Sequence, residues 1–333
     1  MFQFAIAICT YNPDLRLLKR LLNALLPIIK SGGETVEVII VDNNSSPPLN
    51  SYSEVQDFLA KVPHTQYTIE PKQGLNAARC AVIKATSSPI VVFFDDDNEP
   101  APDYLDILSQ YFEKYPNVGV WGPGHIEVEY MDALDSWFLD HKDKFQQRNQ
   151  PFAYGCELAQ WRQYYPNGTG FAVRREILNK YLEALESGVL SITGRKGNQL
   201  SSGEDIQIVW EGIKLGFAAG MIPTLRCNHL IPASKANFSY MARQCFGTSS
   251  AYISALLQSF PEKKEQNYNL PSKLQIYKRL TILKLKQILR PSRKHEISFE
   301  IASYVGGLYG IASGTKSERT QEIINLAKSF HLM

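Results

Sequence analysis

Residues 89–97 run PIVVFFDDD, an apolar stretch that ends in three consecutive aspartates, Asp95, Asp96 and Asp97. A short uninterrupted apolar run predicts a strand buried on both faces of a parallel sheet. Three adjacent carboxylates at its end repel one another and cost folding free energy, so the cluster asks for a cation. Carboxylate oxygens are hard ligands suited to Mg²⁺ or Mn²⁺. Upstream, residues 4–9 (FAIAIC) and 36–41 (VEVIIV) have the same character and end at Thr10-Tyr11-Asn12 and Asp42-Asn43-Asn44, while residues 66–69 form a weaker strand. Leu15, Leu18, Leu22, Leu25 and Ile29 recur at helical spacing after Asn12-Pro13, read as a cap and a first helical position, and Ser31-Gly32-Gly33 ends that helix. Gly74 opens another, with Leu75, Ala78, Val82 and Ala85 on one face. Alternating strands and helices predict crossover units in an α/β, doubly wound sheet. Ligands bind beyond the carboxyl ends of such strands, where the three polar clusters converge.

Downstream the order changes. Residues 118–121 and 125–128 predict two strands around Gly122-Pro123-Gly124, and residues 130–165 are aromatic and irregular. A strand over 169–173, helices over 176–186 and 204–215, and a strand over 217–222 follow; beyond 240 the periodicity is helical only. The expected organisation is a domain over 1–240, with halves 1–117 and 118–240, and a helical region over 241–333.

Composition narrows the class. The 333 residues carry 35 Lys+Arg against 33 Asp+Glu, a net charge of +2 that lacks the basic excess of a dedicated nucleic-acid binder. Five cysteines without a Cys-x-x-Cys pair indicate neither a disulfide framework nor a structural zinc site, and so a reducing interior. Residues 1–13 (MFQFAIAICTYNP) have no early positive charge, and no run reaches the roughly 20 apolar residues that span a bilayer, so the expectation is a cytoplasmic chain. No G-x-G-x-x-G follows the first strands and no G-x-x-x-x-G-K-[ST] occurs, which excludes the usual dinucleotide and P-loop solutions. Gly306, Gly307 and Gly310 lie in the helical C-terminus, where close helix packing accounts for them better than a phosphate loop.

The segments AIAICTYNP, EVIIVDNNSS and QGLNAARCAVIKATSSPIVVFFDDDNEPAPDYL, with the later GTGFAVRREIL and SSGEDIQIVWEGIKLGF, resemble in order and spacing a family 2 glycosyltransferase of GT-A fold. The resemblance covers about residues 4–250. It implies a Rossmann-like mixed sheet flanked by helices, with a C-terminal helical extension. By position it also implies that Thr10 and Tyr11 line a nucleotide, that Asp42 accepts from its base, and that Arg79 faces the same pocket. Asp95 and Asp96 would lie in a D-x-D-type loop against ribose and phosphate, with Asp97 binding the divalent cation, Mn²⁺ or Mg²⁺. Asp205 would be the general base, and His229 a further metal or diphosphate contact. Cys9 stands where many members carry proline. The Gln/Arg-rich signature and the membrane spans of processive synthases are missing, which argues against polymerisation.

The implied reaction is inverting transfer from a nucleotide-diphospho-sugar donor to an acceptor hydroxyl on a sugar or lipid-linked glycan, in cell-surface polysaccharide or glycan assembly. Two rival readings stand beside it. A sugar-nucleotide nucleotidyltransferase would want a glycine-rich basic loop where Thr10-Tyr11-Asn12-Pro13 stands. A catalytically inactive sugar-binding protein on the same fold would have no need of both Asp97 and Asp205. Acceptor selectivity is expected in the C-terminal helices and in the aromatic stretch 137–165, where Trp161, Tyr164 and Tyr165 either stack on sugar rings or form a packed cluster. Residues 273–294 carry eight basic and no acidic side chains. This segment is either a solvated helix packed on the protein or a peripheral contact with an anionic membrane at the inner face of the plasma membrane. On a helix Arg279, Lys286 and Arg290 fall on one stripe and Leu274, Tyr277, Leu285 and Ile288 on the other side, while Leu280, Ile282 and Leu283 blur the amphipathic division.

Overall fold

The computed structural model describes residues 2–192, 194, 200, 202–263 and 268–333; Met1 and Ser201 of the segments quoted above lie outside them. The chain divides into two compact units, one of residues 1–188 and 205–233, the other of residues 189–204 and 234–333.

The first unit opens with β1 (Phe4–Thr10), α1 (Leu15–Gly32), β2 (Val36–Asp42), α2 (Ser53–Lys61), β3 (Thr65–Ile69), α3 (Leu75–Ala85) and β4 (Ile90–Phe94). Every residue of β1, β2 and β4 is buried, as expected of strands covered on both faces. β1 pairs in parallel with β2 on one side and β4 on the other, and β3 extends β2, also in parallel. The helix α1 buries Leu17, Leu18, Leu21, Leu22, Leu25 and Ile28 against this sheet. Its cap differs from the expected one. Asn12 takes a left-handed φ of 46°, and Asp14 caps the helix by accepting from the Arg16 amide. Asn12 serves the loop, accepting from the Ser46 amide and donating its own amide to Ser45 Oγ.

β5 (Asn98–Pro100), α4 (Tyr104–Lys114), β6 (Val118–Tyr130), β7 (Arg148–Asn149), β8 (Ala153–Gly155), β9 (Ala172–Arg174), α5 (Arg175–Glu186), α6 (Glu204–Lys214) and β10 (Ala218–Ile231) follow. The sheet order β3-β2-β1-β4-β9-β6-β10-β5 is mixed: β9 runs antiparallel to β4 and β6, and β5 antiparallel to β10. The expected break at Gly122-Pro123-Gly124 does not occur. β6 runs through it in one piece, because the partner strand absorbs the irregularity as a register shift between Ile222 and Arg226. Gly124 is required there, since a Cβ would stand 2.8 Å from the Ile222 carbonyl oxygen. All five cysteines are free.

The second unit carries α7 (Phe238–Ser259), α8 (Lys273–Leu289), α9 (Lys294–Gly314) and α10 (Thr320–Ser329), with no strand among its described residues. Gly306 and Gly310 let α9 approach α7 closely: a Cβ on them would lie 2.3 Å from Phe246 O and 2.6 Å from Ser250 O. Helix packing, not ligand binding, is their role.

Candidate active site

The aspartates that end β4 are held by a tight turn. The Asp95 amide donates to Asn98 Oδ1, the Asn98 amide donates back to the Asp95 carbonyl, and Asn98 Nδ2 donates to Asp97 Oδ1 at 2.9 Å. Asn98 is buried, and the Leu230 amide of β10 donates to the Asp97 carbonyl at 2.8 Å. This turn sorts the three carboxylates: Asp95 and Asp96 stay partly exposed, while Asp97 points inward at 2% exposure.

His229 of β10 stands against Asp97, with Nε2 3.5 Å from Asp97 Oδ2. Its Nδ1 lies 2.8 Å from the carbonyl oxygen of Phe145, at the end of a 3-10 segment over Ser136–Phe145. A carbonyl only accepts, so Nδ1 carries the proton, and in the neutral ring the Nε2 lone pair faces the carboxylate. A histidine oriented by a backbone carbonyl and paired with a carboxylate is a donor set that fits a divalent cation. Ligands about 2.1 Å from such an ion and roughly at right angles stand about 3 Å apart, close to the spacing here. Among the described residues no group of three His, Cys, Asp or Glu converges.

Thr10, at the end of β1, donates its hydroxyl to Asp96 Oδ2, joining two of the polar strand ends. Tyr11 beside it is 42% exposed. Asp42 is different. Its carboxylate is fully buried and accepts from the Ser45 amide at 2.8 Å on Oδ1, and from the Leu49 amide at 2.9 Å and the Tyr67 hydroxyl at 2.8 Å on Oδ2. Burial alone would raise its pKa, but these hydrogen bonds outweigh it and hold the group below the ordinary carboxylate range. Asp42 therefore braces the loop after β2 from within. Asn43 continues the work by donating to the Glu70 and Lys72 carbonyls and accepting from the Gly74 amide.

Arg79 of α3 is buried, its guanidinium 5.5 Å from the Phe93 ring and 5.1 Å from the Phe171 ring. A Cβ on Gly168 would meet Arg79 Nη2 at 2.7 Å, and the Gly168 amide donates to Asp205 Oδ2 at 3.1 Å. Gly168 thus lies between Arg79 and Asp205. The other Asp205 oxygen accepts from the Ile206 amide at 2.8 Å, as an acidic residue in a first helical turn does. Its neighbour Glu204 is buried and accepts from the Gly203 amide.

Arg148 had no signal in the sequence, standing in an aperiodic stretch on a two-residue strand. In register it lies opposite Ile126, which pairs with Cys227, two residues from His229 on the same strand. Period-two alternation therefore puts Arg148 and His229 on one face of the sheet. Its Nε and Nη2 are buried without a hydrogen-bond partner among the described residues. Burial pushes its pKa down to about 10, opposed by nearby Tyr104, Cys227 and Asp205. Burial also pushes the Tyr104 hydroxyl and the Cys227 thiol up. Among the aromatics, Tyr165 is buried and edge-on to Tyr164 and Trp161, and both tyrosines donate to Glu157. They form a packed cluster from which Trp161 alone emerges, 40% exposed.

The model of the family described as Glycosyl transferase family 2 matches residues 5–182, more than half of the chain. The chain belongs to glycosyltransferase family 2. It is a glycosyltransferase, and its mixed sheet with flanking helices is the GT-A fold. The mannosyltransferase PcManGT from Pyrobaculum calidifontis, solved with GDP-Man and Mn²⁺, is similar at 16% identity over 99% of this chain and 81% of that one, with a TM-score of 0.50. TarS 1–349 from S. aureus is similar at 14% identity over 96% and 92%, with a TM-score of 0.47. The likeness to PcManGT concerns the fold alone. Among curated proteins, none matches the chain. Within this family 2 chain the matched span holds Thr10, Asp42, Arg79 and Asp95 to Asp97, whereas Asp205 and His229 lie beyond it.

Proposed function

We propose that this family 2 enzyme transfers a sugar, with inversion and metal dependence, from a nucleoside-diphosphate sugar to an acceptor hydroxyl on a sugar or lipid-linked glycan, in cell-surface polysaccharide or glycan assembly. The observation that carries the reading is the buried Asp97–His229 pair, Oδ2 to Nε2 at 3.5 Å. These two residues would hold Mn²⁺ or Mg²⁺, the ion that PcManGT, a similar structure, carries being Mn²⁺. Such an ion, when bound, offsets the negative charge that grows on a departing diphosphate.

The chain's own groups do the rest. Thr10, joined to Asp96, and the exposed Tyr11 offer a surface for the nucleoside, beside the loop that Asp42 braces. We assign the base contact to Asp42 and the loop it braces, since three donors leave its carboxylate with an acceptor position to spare. Arg79 backs the pocket wall through Phe93, Phe171 and Gly168. Arg148, with two buried donors open, supplies a fixed positive charge for the diphosphate. As the acceptor oxygen bonds to the anomeric carbon, the bond from that carbon to the diphosphate oxygen breaks, and the hydroxyl proton passes to Asp205. Base assistance of this kind contributes typically about 10²–10⁴-fold. One base and one displacement give inversion. Functionally, residues 1–117 form the nucleotide half and 118–240 the acceptor half.

Thermal unfolding with UDP or GDP, with and without Mn²⁺, tests the reading. Nucleotide plus metal at a hundredfold excess over Kd should stabilise the wild type by about 2.7 kcal/mol. The Asp97→Ala and Asp97→Asn variants should lose that increment and lose transfer. Full transfer by either variant in excess chelator would overturn the assignment.

A further inference from the structure

Helix α8 carries two apolar stripes, and the fold uses only one. Ile276, Leu280 and Leu283 are buried within the helical unit. The second stripe, Leu274, Tyr277, Thr281, Leu285 and Ile288, recurs at helical spacing and faces outward. Leu274 is 79% exposed, Ile288 75% and Leu289 78%, values that a merely solvated amphipathic helix would avoid. Ile282 is also exposed, whereas Leu280 and Leu283 belong to the buried stripe, which removes the ambiguity they created in the sequence. A shallow groove lined by Tyr277, Leu285, Ile288, Leu326 and Phe330 continues the apolar face onto α10.

The charges within residues 273–294 are all of one sign. Between Lys273 and Lys294 there are eight basic residues and no acidic one. Some are paired: Arg279 with Glu300 at 2.6 Å, Lys273 with Glu322 at 3.3 Å and Arg293 with Glu296 at 2.6 Å. Lys278, Lys286, Arg290 and Lys294 are exposed and have no ion-pair partner among the described residues. Their stems are long enough to lie along an apolar phase while the heads stay in the headgroup layer.

We infer that the outer face of α8 docks on a fluid bilayer bearing anionic headgroups, with Leu274, Leu285, Ile288 and Leu289 in the acyl boundary and Lys278, Lys286 and Arg290 among the lipid phosphates. Charge complementarity selects this occupant. A second copy of the chain would bring the same cations against themselves, and a polyanion without an apolar phase would leave the exposed aliphatic stripe in water. No helix among the described residues is long and apolar enough to cross a membrane, so the contact lies in the interface plane. The surface belongs to the second unit, and its test reads binding alone.

The experiment is co-sedimentation of the full chain with vesicles of phosphatidylcholine, and of equimolar phosphatidylcholine and phosphatidylglycerol, at low and high salt. Binding should be confined to the anionic vesicles and weaken with salt. Replacing Lys278, Lys286 and Arg290 by Gln together should lower the partition coefficient by roughly a hundredfold, about fivefold for each cation removed. Replacing Leu274, Leu285 and Ile288 by Ser should remove the salt-resistant remainder, lowering binding at high salt by about tenfold or more. All six side chains are exposed, so an unchanged melting temperature will certify folding. Equal recovery in the supernatant with both vesicles, binding that neither triple variant weakens, or a doubled mass in solution abolished by the Ser triple would each overturn the inference.

Discussion

Replacing Asp42 by Asn isolates what a buried carboxylate does for the loop after β2. The wild-type group accepts three hydrogen bonds, one on Oδ1 and two on Oδ2, at 0% exposure. The best orientation of an asparagine keeps its oxygen where Leu49 and Tyr67 donate, and turns its amino group against the Ser45 amide. The buried Ser45 N–H then lacks an acceptor and faces the donors of the new amino group, at about 1–3 kcal/mol, and two charge-assisted bonds become neutral ones, at roughly 1 kcal/mol each. Relief of the carboxylate's own burial offsets part of this, so the expected loss is about 2–4 kcal/mol at neutral pH. The pH dependence follows from the depressed pKa. In the unfolded chain Asp42 titrates near 3.9, so its contribution is complete above about pH 5 and is lost as pH falls through the lower folded value. Urea denaturation of wild type and Asp42→Asn along a pH series should show a stability gap that is constant from neutral to mildly acidic pH and closes in acid. Equal stability at pH 7, or a gap that widens on acidification, would refute the assignment of these bonds as stabilising.

Asp205→Asn keeps one of the two backbone hydrogen bonds, turns the other oxygen into an amino group and removes the basic lone pair, so kcat should fall by about 10²-fold or more while nucleotide affinity, read by calorimetry, stays within a few-fold. An equal collapse of affinity would make Asp205 a binding residue. Gly306→Ala should destabilise the protein by about 1–3 kcal/mol, because its Cβ meets the Phe246 carbonyl oxygen, whereas Gly307→Ala, with nothing within 4 Å, should be neutral or stabilising by up to about 1 kcal/mol. Melting curves of the two variants check the contrast, and matching losses would refute the packing account.

The sequence by itself determined the nucleotide half of the sheet, because β1, β2 and β4 are continuous apolar runs whose burial on two faces follows from composition alone. It also determined that polar strand ends would gather at one edge, since parallel strands joined by crossover helices all end on the same side. The family followed from those segments in order. Other features depended on partners remote in the chain. Gly122-Pro123-Gly124 looked like a turn, and only the register shift in β10 keeps β6 intact. That the Asp42 carboxylate also braces its own loop depends on the return of Ser45, Leu49 and Tyr67 over it. Arg148 carried no signal at all, because a two-residue strand has no period to read; the pairing with β6 sets it on the face of His229. The sequence set an apolar stripe on α8 at Leu274, Tyr277, Leu285 and Ile288, but a second one through Leu280 and Leu283 blurred the division, since both recur at helical spacing. Which one meets the core is decided by the helices it packs against, and that is a property of the tertiary structure alone.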